Sequence, residues 1–142
     1  MSFARIRKKL SNLSWLPRRS SWSLLLGSRG ERAAARYLRR HGHRILARNY
    51  RCPSGEVDLI SAWRDFIVFV EVKTRASAEA QDPQETVRSV QWGRIERAAR
   101  HFLARQSTED HPCRFDLIAI VWPRRGSPIV EHYEDAYQPR RL

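Results

Sequence analysis

Residues 66–75 read FIVFVEVKTR. Phe66-Ile67-Val68-Phe69-Val70 is apolar without a break. A strand with one wet face alternates, so an unbroken apolar run belongs in a sheet covered on both faces. The run then turns charged, at Glu71, Lys73 and Arg75. Just upstream, Glu56 to Ser61 reads as another strand, carrying Asp58, and Trp63-Arg64-Asp65 is a short connection. The two runs, Glu56 to Ser61 and Phe66 to Thr74, are expected to pair as an antiparallel hairpin. That hairpin holds Asp58, Glu71 and Lys73 where apolar side chains would be easier to bury.

Working outward, Ser28 to Arg40 reads as a helix, opened by the S-x-x-E spacing of a capping box at Ser28 and Glu31 and stopped by Gly42. Glu31, Ala34 and Leu38 fall on one helical face, which places an acid beside apolar residues. Ile45 to Tyr50 is a strand, and Cys52-Pro53-Ser54-Gly55 a turn. Residues 76–84 are polar and irregular. Glu85 to Arg105 reads as one long helix with a stripe of Val87, Val90, Gln91, Ile95, Ala98 and Phe102, and Gly93 in its middle. Arg114 to Val121 is a fourth strand carrying Asp116, residues 123–128 form a basic turn, and Ile129 to Tyr133 is an edge strand. This order specifies an α/β fold: a mixed sheet of about four to five strands flanked by helices.

The 142 residues suit one domain. Net charge is +12, which favours a polyanionic partner, nucleic acid before an acidic membrane. Residues 1–27 hold Arg5, Arg7, Lys8, Lys9, Arg18 and Arg19 and no acid, half of that net charge. This segment reads as a basic tail or an amphipathic helix, with a boundary near Gly27, a domain over 28–137 and a tail over 138–142. No apolar run is long enough to span a bilayer. Cys52 and Cys113 make neither a disulfide framework nor a zinc set, and His41 and His43 read as a helix end and strand start. A cytoplasmic location is expected.

Carboxylates are hard ligands for Mg²⁺ or Mn²⁺, and a neighbouring lysine can orient water or neutralise a phosphate. Glu71 and Lys73, two positions apart on one strand face, are separated by roughly 6–7 Å between Cα atoms. Asp58 can join them from the adjacent strand. The same residues also read as a Glu71–Lys73 ion pair at a strand end beside a solvated Asp58. Glu56, next to the site strand and a turn, reads as a solvated acid or as an acid supporting the site, and Asp116 as the partner of Arg114 or Arg51.

The segments GSRGERAAARYLRRHGHRILARNYR, GEVDLI, VFVEVKTR and RFDLIAI, in this order and over roughly three quarters of the chain, resemble the YraN-like family of small bacterial proteins. That family in turn resembles archaeal-type Holliday junction resolvases and the restriction-endonuclease-like, or PD-(D/E)xK, nucleases. The resemblance implies a restriction-endonuclease-like fold with Asp58 and Glu71 as metal ligands, Glu31 as an additional helix acid, and Lys73 serving the attacking water. Gln91 stands where such nucleases often carry a Gln or Lys. Here the chain reads Gln91-Trp92-Gly93-Arg94, against the family's usual K-Q-x-R.

The expected activity is Mg²⁺- or Mn²⁺-dependent hydrolysis of phosphodiesters in branched or structured DNA. The alternative is a DNA-binding accessory protein with this fold and little activity. Arg29, Arg48, Arg51, Arg75 and Arg94 flank the site in sequence and are candidate phosphate contacts, which position DNA without reading its bases. Paired cuts in a junction would call for a homodimer.

Overall fold

The computed structural model describes residues 21–76 and 82–139, without the side chains of 21–27 and 76. The expected basic tail therefore lies mostly outside the described residues. Within them the elements are α1 (Ser21–Arg40), β1 (Arg44–Cys52), β2 (Gly55–Trp63), β3 (Phe66–Ala76), α2 (Pro83–Ser89), α3 (Trp92–Gln106), β4 (Cys113–Trp122) and β5 (Ile129–Tyr137). The strands form one sheet in the order β1-β2-β3-β4-β5. β3 and β4 are parallel, joined by the α2–α3 crossover, and the other neighbours are antiparallel.

The apolar run of β3 explains the layering. Ile67 and Phe69 face one cluster, with Ile95, Ala98 and Phe102 of α3 and Phe115 and Leu117 of β4. Val68 and Val70 face the other, with Ala34, Ala35 and Leu38 of α1 and Ile118 and Ile120 of β4. The rings of Phe69 and Phe102 meet edge to face at 6.0 Å. Each fully buried Phe contributes roughly 1.5–3 kcal/mol by leaving water, so the central strand is held from both sides.

Two expectations about helices change. The first helix does not begin at Ser28. It runs from Ser21 across Gly27, so Ser28 and Glu31 are interior residues and form no capping box. The expected long helix over 85–105 is two helices. Asp82 caps α2 by accepting from the Gln84 amide at 2.8 Å, with Pro83 at its start. Val90 is extended and ends α2. The break turns Trp92 inward, where Nε1 donates to the Val87 carbonyl and the indole stacks on Tyr137 at 5.2 Å. Gln91 is consequently an exposed N-terminal flank of α3, not a member of an apolar stripe, and Gly93 sits in the first turn.

The face opposite α3 buries a charged network. Asp116 is 0% exposed. It accepts from Arg114 Nε and Nη2, both at 2.8 Å, from His132 Nε2 at 2.7 Å and from the Asp135 amide at 3.0 Å. Arg114 also lies 4.7 Å from the Trp63 ring centroid. The expected Arg114–Asp116 pair is thus present, and these hydrogen bonds hold the Asp116 carboxyl below its usual range despite burial. His43, alongside, shares a hydrogen bond with Ser61 Oγ at 2.9 Å. Burial, then His132 and Arg114, push its imidazole down to about 4.

A glycine couples this frame to the far helix. A Cβ on Gly55 would overlap the Arg94 carbonyl oxygen, a backbone atom that cannot swing aside. Gly55→Ala is expected to destabilise the protein by about 2 kcal/mol, the scale of an overpacked contact, read as a lower urea midpoint with unchanged m-value. A second expectation concerns pH. A buried base with a lowered pKa binds its proton more readily when unfolded, so stability falls as pH drops from the unfolded value of 6.5 towards about 4. His43→Asn should flatten that part of the pH–stability curve, measured by urea midpoints across the same range.

Candidate active site

The site lies where two strands part. β2 and β3 are paired from Trp63↔Phe66 to Leu59↔Val70. Beyond that point β2 keeps its pairing with β1 down to Gly55, and β3 keeps its pairing with β4 up to Ala76. The fork leaves backbone groups between the two strands to be satisfied otherwise. Asp58 does this: its Oδ2 accepts from the Val72 amide at 2.8 Å. The neighbours of Asp58 also depart from simple alternation. Val57 packs in the α3 cluster and Leu59 in the α1 cluster, although a regular strand would place them on one side. On β1, Asn49 stands between Arg48 and Tyr50, whose partners Leu59 and Val57 flank Asp58. Asn49 has φ 49°, a left-handed conformation that asparagine tolerates better than most residues.

The fork brings Asp58 and Glu71 together. Burial raises the Glu71 carboxyl first, then the Asp58 charge and a hydrogen bond between the two acids, to about 9 in all. Lys73 opposes this weakly, its Nζ 4.0 Å from Glu71 Oε1. Two carboxylates this close share a proton at neutral pH unless a cation takes its place. The donor set is oxygen-only and anionic, which suits a hard divalent cation such as Mg²⁺ or Mn²⁺.

Glu31 is 9% exposed and accepts from Asn49 Nδ2 at 2.8 Å. It thereby reaches the strand position beside Asp58. Among the described residues, however, no group of three or more His, Cys, Asp or Glu side chains gathers as a metal cage, so the structure does not assemble Glu31 with Asp58 and Glu71 into one ligand set.

A cleft of about 260 Å³ opens beside the pair, lined by Glu56, Glu71, Lys73, Ser89, Gln91, Arg94 and Ile95. Gln91 thus reaches the site from the α2–α3 break, which is what the interruption of the helix achieves. Arg51 and Arg94 both meet Glu56, at 3.3 and 3.9 Å. Arg75 lies two positions past Lys73 on β3, and its Nη1 is buried without a hydrogen-bond partner. Arg29 is held elsewhere, over the Trp122 ring at 4.7 Å, and Arg48 is exposed on β1.

One residue beside the site, Asn49, was not singled out in the sequence, and Glu56 takes the supporting position rather than the solvated one. Glu56 is not simply solvated: it joins two arginines in the cleft. Asn49 carries the Glu31 contact. An asparagine inside a strand-like run was a usable signal for a left-handed residue there.

These features define a restriction-endonuclease-like α/β protein, a five-stranded mixed sheet flanked by three helices with a carboxylate pair in the fork of its central hairpin. Residues 30–120 match the Uncharacterised protein family UPF0102, and the chain belongs to that family. It is 43% identical over 113 residues to the UPF0102 protein of Geobacter metallireducens, covering 80% of this chain and 92% of that one. It is 42% identical over 119 residues to that of Chlorobium phaeobacteroides (80% and 94%). With that of Moorella thermoacetica it shares 45% over 104 residues (73% and 86%). Among the described residues no helix is long and apolar enough to cross a membrane.

A raised carboxyl pKa opposes folding once the unfolded acid ionises, so its contribution to stability is present below 4.5 and lost as pH rises towards about 9. Glu71→Gln is therefore expected to raise Tm by at least roughly 3 °C at pH 8 in chelator, the response of a domain this size to ~1 kcal/mol, and by little at pH 4. A melt at the two pH values reads this directly.

Proposed function

We propose that this protein is a metal-dependent nuclease that hydrolyses phosphodiesters of branched or structured DNA. The observation that carries the reading is the Asp58–Glu71 pair, two acids pressed together with Glu71 raised to about 9 and a lysine 4.0 Å away. Burying two like charges is unfavourable unless a cation joins them, so the arrangement is better explained by a ligand than by stability. Asp58 and Glu71 would hold Mg²⁺ or Mn²⁺, with Glu31 standing behind through Asn49. When bound, such an ion lowers the pKa of water and takes up charge on phosphoryl oxygens.

The chain's own groups do the rest. Asp58 is oriented in the fork by accepting a hydrogen bond from the Val72 amide at 2.8 Å. Lys73, half-buried beside Glu71, supplies a cation that steadies the attacking water or the phosphate. Gln91, on the exposed rim, supplies an amide for the same oxygens. Arg75 on β3, Arg51 on β1 and Arg94 on α3 supply positive charge, and the net charge of +12 draws DNA to the protein. No base-reading element is apparent among the described residues, which favours recognition of DNA shape over sequence.

A binding protein of the same fold with little turnover is the second reading. It is favoured by Glu31, whose carboxylate is engaged by Asn49 and leaves two acids at the fork.

The test is cleavage of duplex, single-stranded, flap and four-way-junction DNA with Mg²⁺ or Mn²⁺, with chelator as control. Cuts should depend on the metal and fall by at least about a hundredfold in Lys73→Ala, the scale of a lost acid–base group. Identical cutting by that variant, or none by the native protein on any substrate, sinks the nuclease reading. Retained, salt-sensitive DNA binding would then support the accessory protein.

A further inference from the structure

Glu56 sits between two guanidiniums brought from different elements. Arg51 Nε, on β1, is 3.3 Å from Glu56 Oε2, and Arg94 Nη2, on the first turn of α3, is 3.9 Å from Oε1. The two carboxylate oxygens are thus divided between two cations. Glu56, Arg94, Glu71 and Lys73 line the same cleft. We propose that Arg51 and Arg94 form a phosphate subsite next to the Asp58–Glu71–Lys73 centre, and that Glu56 is a built-in anion that keeps it occupied until a backbone phosphate of the nucleic acid displaces it. The inference rests on the nucleic-acid reading above and adds to it how the site admits a strand.

The exchange is balanced in charge. A phosphodiester carries one negative charge over two non-bridging oxygens, and so does a carboxylate, so the arginines keep equivalent acceptors throughout. The geometry also assigns separate parts. The Arg51 side chain is 13% exposed and set on β1 beside the β1–β2 turn, whereas that of Arg94 is 51% exposed at the rim, where it can follow an incoming strand. Glu56 itself is one-third exposed and has solvent to move into. The Arg94–Glu56 pair, half and one-third exposed, contributes little to folding, so bracing of α3 by this pair is a weak reason for Arg94 to meet Glu56. The Gly55–Arg94 contact already seats α3 on the hairpin next to Glu56.

The subsite makes Glu56 an internal competitor, and its removal should tighten binding. Fluorescence anisotropy with labelled single-stranded and four-way-junction DNA, on the full chain in chelator at fixed salt, reads this without turnover. Glu56→Gln should bind at least about threefold tighter, and Arg94→Gln weaker by a similar factor, the size expected for one phosphate contact at moderate salt. The gain from Glu56→Gln should vanish in the double variant with Arg94→Gln, because the two residues act on one site. Glu109→Gln, an exposed acid in the loop after α3, changes net charge equally and should alter affinity by less than about 1.5-fold. Binding by Glu56→Gln no tighter than by Glu109→Gln, or a gain that persists without Arg94, overturns the subsite. If Glu56→Gln does not fold, an Arg94→Gln protein with native affinity overturns it alone. Absence of DNA binding by the native protein overturns both this inference and the proposed function. Absence of cleavage with the binding pattern intact overturns only the nuclease.

Discussion

Everything in this protein is arranged around a central strand that is buried twice. Ile67 and Phe69 must be covered by α3, and Val68 and Val70 by α1, so β3 sits in the middle of the sheet with a helical layer on either side. That requirement sets the parallel partner β4 and the crossover through α2 and α3. It also specifies where covering stops. After Val70 the strand turns charged, β2 parts from it, and the fork exposes backbone and acids to a cleft. The site is the place where a fully buried strand reaches water.

The two sheet faces handle buried charge in opposite ways. On the α1 side Asp116 is saturated: two bonds from Arg114, one from His132 and one from a backbone amide leave its carboxylate stable and inert. In the fork, burial first and then the neighbouring Asp58 drive the Glu71 carboxyl up, and Lys73 opposes them. Satisfied polar networks hold a core in register. A carboxyl raised by burial and a neighbouring acid, beside a cleft, marks a candidate functional group. One small domain thus holds a buried acid saturated by hydrogen bonds and a buried acid pair that shares its site with a lysine.

Gly55 and the α2–α3 break are the mechanical parts of the site. Gly55 lets the first turn of α3 rest directly on the hairpin, which carries Arg94 towards Glu56. The extended Val90 redirects the chain so that Gln91 faces the cleft while Trp92 anchors under Tyr137. A continuous helix would have kept Gln91 on the axis of an apolar stripe. Small local interruptions thus convert a covering layer into one wall of a cleft.

Strand identity, the hairpin and the cover on both faces were legible in the chain because they follow from the continuous apolar run 66–70 and from short-range turn chemistry. The same is true of Asp58, Glu71 and Lys73 as neighbours, since strand spacing and antiparallel pairing place them. The start of α1 and the split of the second helix were not, since a capping pattern and a periodic stripe each have local alternatives that packing overrides: Glu31 is drawn to Asn49, and Trp92 to Tyr137. Nor was the fork. Where two paired strands part depends on competition among their outer neighbours, and β1 and β4 each retain their partner past Val70. The meeting of Arg51, Glu56 and Arg94 depends on α3 being laid over the hairpin, a contact between segments some forty residues apart that no local pattern encodes.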